Sequence, residues 1–294
     1  MSEIAFIKKV ITSPTVTRVH EIPTEKHKPT APIGIFDSGV GGLSVLKEVM
    51  QQLPQEDVIY LGDTARVPFG SRPPEEILTI NREIFDFMKD HAVKMVMIAC
   101  GTSSSIAQGE MKKHYKFPIV DIIHPGAKAA VEVSAAGKIG VIATETAIKS
   151  GAFQSAIRLA GTRVEVFAQA CPLFVPLVEG GFIDTPETKM VAKEYLKPLL
   201  QAQIDTLVLG CTHYPHLSKI LKTIVGPKVM LVDPAKAAVV EAKNQLAKLG
   251  LAKDVLKPAY YQYFVTGTPM HFQELGSKLL GKPIMGTKQV VLGG

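Results

Sequence analysis

Two cysteines follow patterns of buried strands and could act as a matched pair of proton-transfer groups. Cys100 comes directly after the apolar run 96–99, and Cys211 comes directly after the run 207–210; a threonine follows each within two residues. Short apolar runs rich in branched residues are typical of buried parallel strands. Ligands of open α/β sheets bind at the carboxyl ends of such strands. Two thiols placed in this way, one in each half of the chain, indicate acid–base groups that face each other across a substrate.

Other roles for these cysteines fit the spacing less well. Cys211 and His213 lie two residues apart, but no second Cys/His cluster follows to complete a tetrahedral metal site. A cysteine protease needs one nucleophilic Cys, a His elsewhere and a third orienting group, whereas Cys100 and Cys211 have similar surroundings. Cys171 is predicted to be a small buried apolar residue. We expect a helix to begin after each of the two matched cysteines and to lower the thiol pKa, with no bound metal.

Two loops that follow predicted strands could hold a substrate. The turn 37–44 resembles a dinucleotide-binding loop, but Ser44 occupies the third glycine position, and the acidic Asp37 would repel pyrophosphate. Two interpretations of this turn stay open: Asp37 or Ser38 caps the next helix, or Asp37 is a carboxylate beside the reacting centre. The loop 62–71 either only connects two elements or forms a wall whose backbone N–H groups hold a carboxylate.

A strand–helix alternation from Pro32 onward would position these loops. Apolar residues with helical spacing, as in 43–53, 77–87 and 217–224, lie between short apolar runs. This alternation predicts an α/β fold with parallel sheets that are covered by helices on both faces. Nine strands are predicted, at 33–36, 58–61, 95–99, 119–122, 139–143, 164–168, 207–209, 230–232 and 263–265.

The order of the motifs indicates a duplication, because each half holds a strand that ends in a hydroxyl-rich turn and a later strand that ends in Cys. Residues 1–31 are predicted to be an N-terminal extension, in which 4–11 could add a strand. Residues 32–122 together with 233–294 are predicted to form a first α/β domain that carries Cys100. Residues 123–232 are predicted to form a second that carries Cys211.

The composition of the chain indicates which cell compartment and which kinds of binding partner to expect. The chain has 294 residues, of which 46% are hydrophobic and 20% charged, as in globular proteins. No apolar run approaches the ~20 residues that span a bilayer, and the N-terminus does not resemble a secretory signal. Three cysteines without a C-x-x-C pair favour reduced thiols in the cytoplasm. The net charge of +6 suits an anionic small substrate, and no basic run interleaves with aromatic residues to indicate a nucleic-acid groove.

Five motifs occur in the order found in the glutamate racemases, the cofactor-independent members of the aspartate/glutamate racemase family. They are the segments 36–42, 62–70, 99–102, 171–179 and 209–215. From Pro32 to about Gly281 the chain resembles that family. The resemblance implies two pseudo-symmetric parallel-sheet α/β domains with the active site between them. It further implies interconversion of L- and D-glutamate without a cofactor, which supplies D-glutamate for peptidoglycan, and it is compatible with a homodimer.

Matched position by position, the resemblance implies roles for individual residues. Cys100 and Cys211 would be the two acid/base thiols, Asp37 would assist Cys100, and His213 would assist Cys211. Glu179 corresponds to a further acidic residue near the site. The implied substrate contacts are Asp37, Ser38, Pro68, Phe69, Gly70, Gly101, Thr102, Thr144, Thr212 and His213.

The chain departs from the family pattern at two positions. Gly101 stands where Asn is usual, and Phe69 stands where Tyr is usual. The missing Asn amide would contact the amino or carboxylate group of the substrate, a bond worth roughly 1.5–3 kcal/mol. Two alternatives therefore stay open: a racemase of another acidic amino acid such as aspartate, and a catalytically weak relative that acts as a binding protein. A binding protein would not need the two thiols.

Overall fold

The computed structural model describes residues 28–254 and 257–293, and this part of the chain contains two parallel β-sheets. The strand considered at 4–11 lies outside the described residues. The strands are β1 Ile33–Asp37, β2 Val58–Gly62, β3 Met95–Ile98, β4 Ile119–Asp121, β5 Lys138–Ala143, β6 Glu165–Ala170, β7 Thr206–Leu209, β8 Met230–Val232, β9 Tyr261–Val265 and β10 Lys288–Gln289.

The larger sheet has the order β10-β9-β2-β1-β3-β4, and the smaller has the order β6-β5-β7-β8. Every neighbouring pair is parallel. All nine predicted strands are present, with ends that differ by at most two residues. The additional strand, β10, has two residues and pairs with β9 alone, so it is too short to leave a pattern in the sequence. The predicted α/β fold with parallel sheets is confirmed.

Helices cover both faces of each sheet. Leu43, Leu46 and Val49 pack on one face of the larger sheet, and Ile77, Ile80 and Ile84 pack on the other. No helix among the described residues is both long and apolar enough to cross a membrane. The helices are α1 Leu43–Gln52, α2 Pro74–Asp90, α3 Gly101–Ile106, α4 Gln108–His114, α5 Ile123–Val133, α6 Glu145–Ser150, α7 Ala152–Ala160, α8 Phe174–Glu179, α9 Pro186–Gln201, α10 Ser218–Val225, α11 Pro234–Lys248 and α12 Pro269–Leu280.

The chain crosses between the two sheets twice. It leaves the larger sheet after β4 through α5, and it returns after β8 through α11. The two crossover helices pack closely. A Cβ atom on Gly126 would lie only 2.7 Å from Cβ of Pro234. The domain boundaries that we propose, at 122/123 and 232/233, lie at these two crossovers.

Candidate active site

Four strand ends, two from each sheet, meet at one place. In the larger sheet, β1 ends at Asp37, and Cys100 lies two residues beyond the end of β3. In the smaller sheet, Thr144 follows β5, and Cys211 lies two residues beyond β7. The carboxyl ends of parallel strands are where α/β sheets bind ligands. The meeting of two such edges places both thiols at the boundary between the sheets.

Side-chain hydrogen bonds join the two edges. The Thr212 hydroxyl donates to Oδ1 of Asp37 at 3.0 Å, and the hydroxyls of Thr102 and Thr144 share a hydrogen bond of 2.9 Å. All four side chains are buried, with at most 6% of each residue exposed. Buried polar groups of this kind are costly unless they are paired. Each edge therefore supplies hydrogen-bond partners for buried polar side chains of the other edge.

Glycines allow the backbones to come this close. A Cβ on Gly41 would lie 2.5 Å from Nδ1 of His213, and a Cβ on Gly101 would overlap the carbonyl oxygen of Gly210. Gly101 is the first residue of α3 and has an ordinary helical backbone. Close approach, and not an unusual φ angle, is therefore what requires glycine at this position.

Cys100 is buried beneath the edge of the larger sheet, with 4% of its surface exposed. Its Sγ caps α3 and accepts a hydrogen bond from the Ser103 N–H at 3.5 Å. Burial, assisted by the negative charge of Asp37, nevertheless raises the thiol pKa to about 12. The predicted lowering of this pKa by the helix N-terminus is wrong for this structure, because desolvation outweighs the helix N–H group.

Cys211 lies in a different local structure. A turn and a single 3-10 turn, Tyr214–Leu217, follow it before α10 begins. The expected turn leads into this 3-10 turn, and α10 begins only at Ser218, so the helix N-terminus expected at this thiol is not found there. Instead, its Sγ lies 3.7 Å from Nδ1 of His213, so a side chain replaces the helix as the partner of this thiol.

His213 links Cys211 to Glu179. Nε2 of His213 lies 2.8 Å from Oε1 of Glu179. Burial by itself would lower the pKa of His213, but the hydrogen bonds to Cys211 and Glu179 outweigh it and raise this pKa well above its ordinary value. The pKa of Glu179 is lowered, because its bonds to His213 and to the Val40 N–H overcome the effect of its burial. The imidazole of His213 therefore lies between the Glu179 carboxylate and the Cys211 sulfur, where its charged form is favoured and a proton can pass between Nδ1 and Sγ.

Asp37 does not cap the helix that follows it. The N-cap of α1 is Gly42, which makes no side-chain capping bond. The carboxylate of Asp37 accepts instead from the Gly39 N–H at 3.0 Å and from Thr212. Of the two interpretations of this turn, capping is wrong for Asp37. Ser38 is buried beside it, with 6% of its surface exposed, and is not the cap either.

The loop 62–71 reaches across to the smaller sheet. The carbonyl oxygen of Gly70 accepts a hydrogen bond from the Thr146 hydroxyl at 3.0 Å, and a Cβ on Gly70 would lie 2.5 Å from Cβ of Thr144. Phe69 is buried and Pro68 is exposed. The loop therefore helps to join the two edges, and its substrate contacts stay a prediction.

Sequence reasoning missed one buried hydroxyl group. Tyr60 lies within the predicted strand 58–61, and its Oη donates to the carbonyl oxygen of Gly39 at 2.9 Å. A tyrosine inside a run that is buried on both faces is a usable signal, since a buried hydroxyl normally needs a partner. Within 28–254 and 257–293, no three His, Cys, Asp or Glu side chains are grouped in a way that could hold a metal.

A family model and similar proteins of known function all point to racemases. A family model described as Asp/Glu/Hydantoin racemase matches residues 33–242. The chain is 47% identical over 258 residues to the glutamate racemase of Trichormus variabilis, covering 88% of this chain and 87% of that protein. It is 43% identical over 261 residues to the glutamate racemase of Chlorobaculum tepidum, covering 88% of this chain and 96% of that protein.

Solved structures are similar over most of their length. The glutamate racemase isoform RacE1 from Bacillus anthracis has a TM-score of 0.86 at 35% identity, covering 89% of this chain and 97% of that chain. The glutamate racemase from Francisella tularensis in complex with D-glutamate has a TM-score of 0.83 at 34% identity, covering 90% and 98%. An aspartate racemase from Picrophilus torridus has a TM-score of 0.51 at 15% identity, covering 76% of this chain and 100% of that chain, a likeness of fold alone.

Proposed function

The chain belongs to the Asp/Glu/hydantoin racemase family and is an amino-acid racemase, and we propose that it interconverts L- and D-glutamate with Cys100 and Cys211 as its two acid–base groups. One observation carries the proposal: two buried thiols, one from each sheet, lie at strand ends that meet. The names of the similar proteins support glutamate over aspartate as the substrate. We place the reaction in the cytoplasm, where it supplies D-glutamate for peptidoglycan.

Inversion at Cα needs a base on one face of the substrate and an acid on the other. One thiolate removes the Cα proton while the opposite thiol delivers a proton to the other face. The reaction runs backward when the two thiols exchange these roles, so one group is needed from each side of the substrate. The position of one thiol at each edge suits this requirement without a cofactor.

Burial of the thiols has a mechanistic consequence. The exposed fractions of Cys100 and Cys211 are 4% and 5%, so a substrate reaches them only when the two edges separate. Closure around the substrate then excludes water and strengthens the hydrogen bonds that stabilise charge at the weakly acidic Cα. The hydroxyls of Thr102, Thr144 and Thr212 line this boundary, and we propose that they donate to the substrate once it parts them.

The two thiols have different neighbouring groups, so substitution of each neighbour should slow proton transfer mainly at one thiol. His213 contacts Cys211, whereas Asp37 acts electrostatically on Cys100. We expect His213→Asn to slow mainly the proton transfers at Cys211, and Asp37→Asn mainly those at Cys100, each by about 100-fold or more in kcat. Because the equilibrium constant of racemisation is 1, kcat/KM must stay equal in both directions, and the asymmetry must be measured in another quantity.

The α-deuterium isotope effect on kcat/KM, measured with each enantiomer of glutamate, supplies that quantity. In His213→Asn, the isotope effect should rise for the enantiomer that Cys211 deprotonates and fall for the other. Asp37→Asn should show the reverse pattern. Identical changes in both variants would refute the assignment of one supporting residue to each thiol.

Substrate identity is tested by chiral chromatography of L-Glu, D-Glu, L-Asp and D-Asp after incubation with the purified protein and no added cofactor. We expect both glutamate enantiomers to be racemised with the higher kcat/KM. A higher kcat/KM for aspartate would establish the alternative substrate. Failure to racemise any of the four compounds would refute the proposed function.

A further inference from the structure

Tyr60 lies in the middle of the larger sheet, yet its hydroxyl reaches the loop that contacts the other sheet. The residue is fully buried, and its ring packs on that of Phe272 with a centroid distance of 5.7 Å. Its Oη donates a hydrogen bond of 2.9 Å to the carbonyl oxygen of Gly39. The hydroxyl therefore holds one end of the peptide group between Gly39 and Val40.

The other end of the same peptide group is bound by the last residue of α8, in the second predicted domain. The Val40 N–H donates to Oε1 of Glu179 at 3.2 Å. In a planar trans peptide, the C=O and N–H bonds point in opposite directions, so fixing the carbonyl toward Tyr60 aims the N–H at Glu179. A Cβ on Gly39 would overlap Oε1 of Glu179, which shows how closely the carboxylate rests on this peptide.

From Glu179 the series of contacts continues to the thiol. Oε1 of Glu179 lies 2.8 Å from Nε2 of His213, and Nδ1 of His213 lies 3.7 Å from Sγ of Cys211. One continuous series of polar contacts thus connects Tyr60, in the first predicted domain, with Cys211, in the second. Hydrogen bonds in series polarise one another, so the bond to the Gly39 carbonyl strengthens the N–H donor on Glu179.

We propose that Tyr60 is a positioning residue for Cys211, and that it orients the Gly39–Val40 peptide, which holds the Glu179 carboxylate against His213 and thereby holds the imidazole beside the thiol. The proposal deepens the proposed function and rests on it for its role in racemisation. The phenol can serve as a constant donor, because burial first, and then the nearby charge of Asp37, raises the pKa of Tyr60 well above its ordinary value. The hydroxyl of Tyr60 bonds to the Gly39 carbonyl oxygen and to neither thiol among the described hydrogen bonds, so Tyr60 is not a catalytic residue.

The ionisation of Cys211 alone can be measured, because the chain has only three cysteines. A chain that carries Cys100→Ala and Cys171→Ala retains Cys211 as its single thiol. Its Cβ chemical shift, followed over pH by carbon NMR of protein isotope-labelled at cysteine, has a midpoint that reports the thiol-to-thiolate equilibrium without any reagent entering the buried site. In this background, Tyr60→Phe should raise the midpoint by about one pH unit, the equivalent of one hydrogen bond.

A matched control is available on the neighbouring strand. Tyr263 on β9 pairs in register with Tyr60 on β2 and lies in the same apolar core. Tyr263→Phe removes the same hydroxyl group from the adjacent position and should leave the midpoint unchanged. An unshifted midpoint in Tyr60→Phe, or an equal shift in Tyr263→Phe, would overturn the proposal whether or not the protein racemises glutamate.

Turnover gives a second readout in the chain with all three cysteines. Tyr60→Phe should lower kcat about 10-fold and should change the two α-deuterium isotope effects in the same directions as His213→Asn. A merely structural role would lower the amount of active protein and leave both isotope effects unchanged. If the unaltered protein fails to racemise glutamate, the proposed function is wrong, and the midpoint of the Cys211 titration still decides the role of Tyr60.

Discussion

Replacing either Cys100 or Cys211 with alanine will lower kcat for racemisation by about 100- to 10,000-fold or more. Each variant lacks the acid in one direction and the base in the other, and general acid–base groups contribute factors of this size. The fold should persist, since a buried Cys behaves as a small apolar residue and alanine fits its place. Turnover of both enantiomers by chiral chromatography, with circular dichroism as the check on folding, measures the effect.

The two variants should also differ from each other. Each retains the base for one enantiomer only, so any remaining exchange of the Cα proton with D₂O should be confined to one enantiomer, and to opposite enantiomers in the two variants. Cys171→Ala is the matched control, because Cys171 is also buried but its Sγ contacts the Gln169 carbonyl oxygen at 3.7 Å. Near-normal turnover in either Cys100→Ala or Cys211→Ala would show that the thiol pair does not carry the chemistry.

Gly101→Ala should lower kcat about 100-fold, because the added methyl group forces the two edges apart. The added Cβ would overlap the Gly210 carbonyl oxygen and come within 3.6 Å of the Cys211 Cα. Relief of that overlap requires the two edges to move apart, and a misplacement of about 1 Å between reacting groups can cost this factor. The readout is kcat for both glutamate enantiomers.

Gly101→Asn distinguishes this steric account from the loss of an amide contact. The steric account predicts that Asn is at least as harmful as Ala, although Asn is usual in the family that the sequence resembles. Gly109→Ala is the matched control, since it adds the same methyl group on α4, where a Cβ meets nothing within 4 Å. Higher kcat/KM in Gly101→Asn than in the unaltered chain would contradict the steric account and restore the amide contact as the missing interaction.

The fold could be predicted well from the sequence because both faces of each sheet are covered. Strands that are buried on both sides become continuous apolar runs, such as 33–36 within β1 and 207–209 within β7. The glycine and hydroxyl residues that follow them mark the turns at the carboxyl ends. Strand β10 escaped prediction because two exposed residues contain no periodicity.

The sequence was enough to predict which residues form the site, but it was not enough to predict the thiol pKa values. Strand-end position selected the two cysteines, since that position depends on local sequence alone. The pKa of Cys100 was misjudged because a helix N–H is visible in the sequence, whereas the desolvation that outweighs it arises from both sheets together. Long-range contacts such as Gly101 with Gly210, and Tyr60 with Gly39, leave no local pattern and required the structure.

The most direct test of a two-thiol racemase is the fate of solvent deuterium during early turnover. Purified protein, without added cofactor, is incubated with L-glutamate in D₂O, and both enantiomers are recovered at low conversion for mass analysis at Cα. Separate acid and base thiols predict that the D-glutamate formed carries deuterium at Cα, while the remaining L-glutamate keeps its proton; D-glutamate as substrate should give the mirror result. Retention of the original proton in the product would show that a single group moves it between the two faces, and would contradict the assignment of Cys100 and Cys211.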